Sequence, residues 1–413
     1  MSASLYHIIT IGCQMNKSDS EKIATYLEDL GYKKSENKFK SDVVVITTCG
    51  VRQSAEDRVY GIVPKIKKNN PNTKIILTGC LSQRKDVRRR LEKYVDVWLP
   101  ITELSGLAKK LGIKNNLSCN GDYLKINSKY DSKISAFVPI GNGCNNFCAY
   151  CVVPYARGRE KYREAKEILS EIKSLVERGY KEIILIAQNV NSYQDGKIRF
   201  PELLKMVNDV EGDFWIRFAT SHPKDMSDEL IKAVKECEKV CEHIHLPAQA
   251  GSNEILKFMN RKYTIENYLD LISKIRNNIP NVAITTDIIV GFPGETEKQF
   301  DDTVKLFKKV KYDMAYISGY SPRPGTAAEK LEDNISHEEK KKREEKLIKI
   351  LRQTALDNNK KYINKTVEVL IENKKGGKTR TGKMVKINNL KESLIGEFVK
   401  VKIREACDFG LIV

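Results

Sequence analysis

From residue 5 to residue 320, short apolar runs alternate with amphipathic stretches, and this alternation constrains the fold more than any other feature. "LYHIITIGC" precedes "SDSEKIATYLEDLGY", "DVVVITTC" precedes "SAEDRVYGIVPKIKKN", and "KIILTGC" precedes "KDVRRRLEKY". A fourth run, "VDVWLPI", precedes "LSGLAKKLG". Runs of this length between helical stretches predict βαβ units on a parallel sheet, and residues 1–115 are expected to form one α/β domain. The polar stretch 116–134 reads as a linker, with Cys119 in it given no role. Residues 135–360 repeat the pattern with "AFVPI", "EIILIAQ", "WIRFAT", "HIHLPAQ", "AITTDIIVG" and "MAYISGYS". Six such units in series predict a partial (βα)6 barrel whose site gathers at the carboxyl ends of the strands. "HEEKKKREEKLIKILRQTALDNNKKY" reads as an exposed connecting helix. From 364 to 413 the period shortens, and a small antiparallel β-barrel is expected.

The strand ends carry chemistry. Cys13, Cys49 and Cys80 each follow an apolar run, with Gly12, Gly50 and Gly79 beside them. In a Rossmann-like open sheet the crevice lies at such ends, so three distant thiols can converge there. A lone buried cysteine is more often a small hydrophobe; three at one topological point favour a shared ligand. "GCNNFCAYC" sets Cys144, Cys148 and Cys151 at spacings of four and three. Thiolates in that arrangement suit soft metals, zinc and iron–sulfur clusters first. Structural zinc takes four ligands, and no fourth stands nearby. A [4Fe–4S] cluster on three cysteines leaves one iron open to a small molecule. The run "CEKVCEHIH", with Cys237, Cys241, His243 and His245, is better read as a helix face and a buried strand than as a second metal site.

Composition narrows the class. The 413 residues are 41% hydrophobic and 31% charged, as in a folded globular protein. No run is long and apolar enough to span a membrane and the first residues do not read as a signal peptide, so a cytoplasmic location is expected. Ten cysteines then read as ligands or catalytic thiols before disulfides. Seventy-two basic against 54 acidic residues give a formal charge of +18, which favours a polyanionic partner such as RNA. The basic run Lys374, Lys375, Lys378, Arg380, Lys383 and Lys386 lies in the last segment, where a phosphate-binding surface competes with an ordinary solvated face.

The Cys-x3-Cys-x2-Cys triplet on the loop after the first barrel strand resembles the radical S-adenosylmethionine superfamily. There the open iron chelates S-adenosylmethionine, and reduction releases a 5′-deoxyadenosyl radical. With the preceding three-cysteine domain and the final barrel, the whole chain resembles the methylthiotransferase family of that superfamily. "GCQMNKSDSE", "TTCGVRQSAEDR", "TGCLSQR", "GCNNFCAYCVVPYARGRE", "HLPAQAGSNEILKFMNRKYT", "DIIVGFPGET" and "YSPRPGT" are similar to family blocks. The resemblance implies two [4Fe–4S] clusters, one on Cys144, Cys148 and Cys151 and an auxiliary one on Cys13, Cys49 and Cys80. It also implies two S-adenosylmethionine molecules per turnover and a TRAM-like RNA-binding barrel at the C-terminus. Within the family, "CVVPYARG", "AQNVNSY" and "IRFATSHP" resemble the branch that methylthiolates carbon 2 of N6-isopentenyladenosine next to the tRNA anticodon. Other branches act on N6-threonylcarbamoyladenosine in tRNA or on an aspartate of ribosomal protein S12. Ala248 and Ala250 in "LPAQAGS" and the short barrel depart from the first branch's pattern. Outside the family, a non-catalytic iron–sulfur or zinc-stabilised RNA-binding protein stays open.

Further residues follow from the strand ends and the resemblance. Phe147, Tyr150, Gln188, Ser221, Gln249 and Gly291 are expected to contact the cofactor, Gly291 by allowing close backbone approach. Asn189, Tyr193, Lys374, Lys375, Lys378, Arg380 and Lys383 are expected to contact the substrate. Partners implied are tRNA, an electron donor such as flavodoxin or ferredoxin, and a sulfur source, with a monomeric enzyme and no membrane.

Overall fold

The computed structural model describes residues 4–113, 122–126 and 128–413. Cys119 and much of the expected linker lie outside the described residues. The first unit runs β1 (Leu5–Thr10), α1 (Gln14–Asp29), β2 (Lys33–Lys34), β3 (Val43–Thr48), α2 (Gln53–Asn69), β4 (Lys74–Gly79), α3 (Lys85–Leu91), β5 (Val97–Leu99) and α4 (Leu107–Lys110). Its strands form one parallel sheet in the order β2-β1-β3-β4-β5. β3, "VVVITT", is buried at every residue, as a strand covered on both faces must be. β2 is two lysines long, too short to show a sequence period. It nevertheless makes the sheet a doubly wound one whose strand order reverses between β1 and β3.

The second unit contains β6 (Ser135–Pro139), β7 (Gly141–Asn142), α5 (Val153–Arg157), β8 (Lys161–Tyr162), α6 (Ala165–Glu177) and β9 (Glu182–Ile186). It continues through β10 (Gln194–Asp195), β11 (Ile198–Arg199), α7 (Phe200–Asn208), β12 (Trp215–Ala219), α8 (Asp228–Glu236) and β13 (His243–His245). α9 (Asn253–Phe258), α10 (Ile265–Asn278), β14 (Ala283–Val290), α11 (Glu297–Val310), β15 (Met314–Gly319) and α12 (His337–Lys360) complete it. Two parallel three-stranded sheets, β6-β9-β12 and β13-β14-β15, are joined by a parallel bridge between Ile216 and Val240. The six strands therefore follow one another in sequence order around an open barrel. Helix starts are set locally: Thr264 and Thr296 each accept from the backbone three residues on, with Asn267 and Gln299 returning the bond. One hydrophobic core, including Ile183, Ile216, Ile244, Ile284 and Phe307, fills the space between strands and outer helices.

The last unit is a curled sheet of β16 (Thr366–Asn373), β17 (Gly376–Thr379), β18 (Met384–Lys386), β19 (Phe398–Lys402), β20 (Glu405–Cys407) and β21 (Gly410–Ile412). Its order is β19-β16-β17-β18-β21-β20. The β18–β21 pair is parallel, a departure from the wholly antiparallel expectation, because the chain crosses over through 387–409 instead of turning back directly. No helix among the described residues is long and apolar enough to cross a membrane.

Candidate functional site

The loop carrying Cys144, Cys148 and Cys151 follows β7 and is held at several points. Gly143 N donates to Gln188 Oε1 at 2.5 Å, Cys144 N to Gly158 O at 3.1 Å and Ala149 N to Met259 O at 2.9 Å. Asn260 Nδ2 donates to Phe147 O at 2.8 Å, and Phe147 itself sits in the left-handed region with φ 47°. Arg261, buried, places Nη1 3.5 Å from Cys148 Sγ. Burial pushes the Cys144 thiol up to about 11 and the Cys151 thiol further. Burial thus favours the protonated form of those two thiols, and a metal must displace their protons on binding.

Cys13, Cys49 and Cys80 stand just beyond β1, β3 and β4, so Cys13 and Cys49 flank the point where the strand order reverses. Cys49 is pushed up to about 11, by burial first and then by Cys80. The two triads are neighbours. A Cβ built on Gly50 would lie 3.1 Å from Val152 Cγ2 and 3.2 Å from Cys80 Cβ, so the loops after β3 and after Cys151 touch where glycine stands. Gln83 Nε2 donates to Ala156 O at 3.1 Å across the same seam.

Two arginines of the second unit clasp the first. Arg157, at the end of α5, donates from Nη2 to Asp19 Oδ2 at 2.6 Å and to Asn16 Oδ1 at 3.0 Å, and from Nη1 to Asn142 Oδ1 at 3.0 Å. Its charge bears on Cys13 and works against the upward push of burial there. Arg323 donates from Nη2 to Val51 O at 3.0 Å and from Nη1 to Gln53 Oε1 at 2.8 Å, holding the segment after Cys49. Sequence reasoning missed Arg157, Arg323 and Arg261. All three lie inside the quoted blocks "YARG", "SPRPG" and "MNRKYT", but arginine ordinarily reads as a surface charge.

At the carboxyl ends of the barrel strands, Asn189 Oδ1, Ser221 Oγ and Tyr320 Oη are buried without a hydrogen-bond partner. Orphaned polar atoms of this kind ask for a ligand. They follow barrel strands at the barrel's mouth, the end where the cysteine loop lies, and a polar small molecule bound there would meet them. Tyr150 packs with Phe292, Tyr320 and Ile255 under the same mouth. Gln249 is held by its backbone to Asp287 O and Ile289 N, with φ 68°.

Other expected residues are placed differently. Gln188 spends its side-chain oxygen on the cysteine loop, which makes it a loop anchor. Tyr193 is fully buried, its hydroxyl donating to Arg163 O at 2.9 Å, so it presents no face to a substrate. A Cβ on Gly291 would strike Lys340 Cγ at 2.4 Å, so that glycine makes room for α12. The basic run divides. Lys378 Nζ lies 2.8 Å from Glu182 Oε2, Arg380 Nε 3.0 Å from Glu242 Oε2 and Lys383 Nζ 2.5 Å from Asp313 Oδ1. These carboxylates sit at the amino ends of the barrel strands, so three cations plug the barrel floor. Lys374, paired with exposed Glu392, and Lys375 face outward. Cys237 and Cys241 are core residues, Cys241 against Trp215 and Leu370. Among the described residues no three His, Cys, Asp or Glu side chains converge on a single-ion site.

Residues 138–307 match the Radical SAM superfamily, residues 5–100 the uncharacterized protein family UPF0004 and residues 360–411 the TRAM domain. A Clostridium botulinum protein named tRNA-2-methylthio-N(6)-dimethylallyladenosine synthase is 46% identical over 98% of this chain and 96% of its own length. A Thermoanaerobacter pseudethanolicus protein of the same name is 47% identical over 97% of this chain and 90% of its own. Among solved structures, the radical S-adenosylmethionine methyltransferase TsrM of Kitasatospora setae, with cobalamin and a [4Fe-4S] cluster bound, aligns with TM-score 0.57 at 14% identity. It covers 79% of this chain and 77% of its own, a likeness of fold.

Proposed function

The chain belongs to the tRNA-2-methylthio-N(6)-dimethylallyladenosine synthase family, and on that premise we propose how its own residues carry the reaction. It is a radical S-adenosylmethionine tRNA methylthiotransferase that places a methylthio group on carbon 2 of N6-isopentenyladenosine next to the anticodon. The two [4Fe–4S] clusters and S-adenosylmethionine supply, when bound, the methyl group, the radical that removes an unacidic C–H hydrogen, and the site of sulfur delivery. Cys144, Cys148 and Cys151 would hold the cluster that meets S-adenosylmethionine, and Cys13, Cys49 and Cys80 the auxiliary one. Asn189, Ser221 and Tyr320, buried at the mouth, would bind the cofactor's polar groups, while Gln188 and Asn260 fix the loop that presents the open iron. Arg157 and Arg323 hold the auxiliary triad against the barrel loops, so that clusters held by the two triads would serve one substrate. The residues orient and exclude water; the cofactors supply the reactivity. An electron donor such as flavodoxin or ferredoxin and a sulfur source complete the cycle, and the enzyme works as a monomer.

The contact of the two cysteine loops through Gly50 and Val152 carries this assignment. It is tested by assaying Cys49→Ala and Cys148→Ala anaerobically with dithionite, S-adenosylmethionine and isopentenylated tRNA. Each variant is expected to lose about half of roughly eight irons per chain. Cys49→Ala should still form 5′-deoxyadenosine but no methylthio nucleoside, and Cys148→Ala should form neither. Normal methylthiolation by a folded Cys49→Ala protein would refute the role given to the first triad.

A further inference from the structure

Three large hydrophobic side chains stand exposed on segments bonded to the cysteine loop: Val51 at 58%, Tyr155 at 54% and Phe258 at 57%. Val51 adjoins Gly50, which meets Val152, and Phe258 precedes Met259, whose carbonyl holds Ala149. The rings of Tyr155 and Phe147 stand perpendicular, with centroids 6.0 Å apart and planes at 90°. The guanidinium of Arg159 lies over the Phe147 ring, 4.2 Å from its centroid. Neither ring belongs to any of the hydrophobic core clusters. Phe147 also holds a left-handed backbone, which is unfavourable for a non-glycine residue and is sustained by the bond from Asn260.

Arg159 is a charge without an acidic partner among the described ion pairs, while its neighbour Glu160 turns to Asn145 and Tyr162. The cations Lys378, Arg380 and Lys383 are consumed at the opposite end of the barrel. An RNA loop entering the mouth must therefore be gripped by what the mouth itself offers. Unpaired bases are recognised by stacking on aromatic rings and on arginine planes, with phosphates drawn to the cation. Tyr155, more than half exposed, keeps ring surface open for that purpose.

We propose that Tyr155, Phe147 and Arg159 form a stacking platform for a base flanking the reacting adenosine in a single-stranded RNA loop. The proposal rests on the tRNA-substrate reading above and adds a subsite to it. An apolar rim with an unpaired arginine matches the charge and the π-faces of RNA, which singles out nucleic acid over a peptide.

The test uses full-length, cluster-loaded protein and a stem–loop RNA carrying N6-isopentenyladenosine, with 2-aminopurine on either side in turn. Tyr155→Ala should weaken binding roughly ten- to hundredfold and relieve 2-aminopurine quenching at one flank. Tyr155→Phe, which keeps the ring, should bind as the unaltered protein does. Arg159→Ala should lower the salt slope of binding by about one. Unchanged affinity and quenching in Tyr155→Ala would overturn the platform and leave the rim to a protein partner; so would an equal loss in Tyr155→Phe. Unaltered protein that binds the stem–loop without methylthiolating it would overturn the substrate reading, while the same affinities still decide the platform. No binding at all would overturn both.

Discussion

At the scale of single residues, the site divides into what spacing reveals and what only folding brings together. Six cysteines were legible because cluster ligation demands thiols at strand ends or in one tight loop. Arg157 was not, because its partner Asp19 lies 138 residues away, and Arg323 reaches back 272 residues to Val51. The side chains of Arg157 and Asp19 are each 2% exposed. Burial raises the Asp19 carboxyl, and Arg157 opposes that shift. Arg157→Met would strand a buried carboxylate at a cost of about 3–5 kcal/mol. The unpaired Asp19 must then carry a proton in the fold, so the loss should grow as pH rises. Adding Asp19→Asn should recover much of it. Urea unfolding midpoints of the single and double variants, taken at two pH values, check both the size and the sign.

Elements are legible where burial follows a period and misleading where an interface reverses it. The βα alternation marks both parallel units because each strand must be apolar on faces covered by helices. α1, "QMNKSDSEKIATYLED", is different: Asn16, Ser18, Asp19, Ser20, Glu21 and Lys22 are buried, although their chemistry suits water. The helix lies between two units, and its partners come from the second, through Arg157, and from the segment that joins the two. Lys22 Nζ donates to Leu124 O at 3.2 Å, and Glu21 Oε1 accepts from Asp131 N at 3.2 Å. Nothing in the helix's own sequence announces those partners. Glu21 Oε2 is left unpartnered, and burial pushes the carboxyl up from 4.5 to about 7. A carboxyl raised on folding binds its proton more tightly in the folded state, so its contribution is intact below pH 4.5 and is lost as pH rises towards 7. The loss is on the order of 3 kcal/mol, at 1.36 kcal/mol per unit. Glu21→Gln should flatten the fall in the unfolding midpoint between those pH values and leave the protein more stable than the parent above them. An unchanged pH profile would show that Glu21 is solvated in the folded state.

For the molecule as a whole, the C-terminal curled sheet is a floor for the barrel as well as a candidate RNA surface. Glu182, fully buried, is held by Arg217 Nε at 2.7 Å and Lys378 Nζ at 2.8 Å. Arg217 in turn donates to Arg380 O and Thr379 O, each at 2.7 Å, and Trp215 packs on Phe398 with centroids 4.8 Å apart. A run of lysines and arginines in a sequence cannot show which members face inward, because each inward partner belongs to a distant strand start. Deleting residues 364–413 therefore removes more than an RNA grip. It uncovers Trp215 and leaves Glu182 and Arg217 short of partners at the base of the radical core. RNA-independent 5′-deoxyadenosine formation should fall with the stability of that core, so loss of activity on truncation says nothing about RNA. The outward residues separate the two roles. Lys374→Glu with Lys375→Glu should leave the thermal midpoint and RNA-independent cleavage as in the parent while weakening tRNA binding. Its salt slope should fall by about 0.7–0.9 for each phosphate that the protein no longer neutralises. Lys378→Met should do the reverse, lowering the midpoint by stranding Glu182 while the salt slope holds. Equal effects of both sets on the midpoint, or none of either on the salt slope, would show that the curled sheet serves only as the barrel's floor.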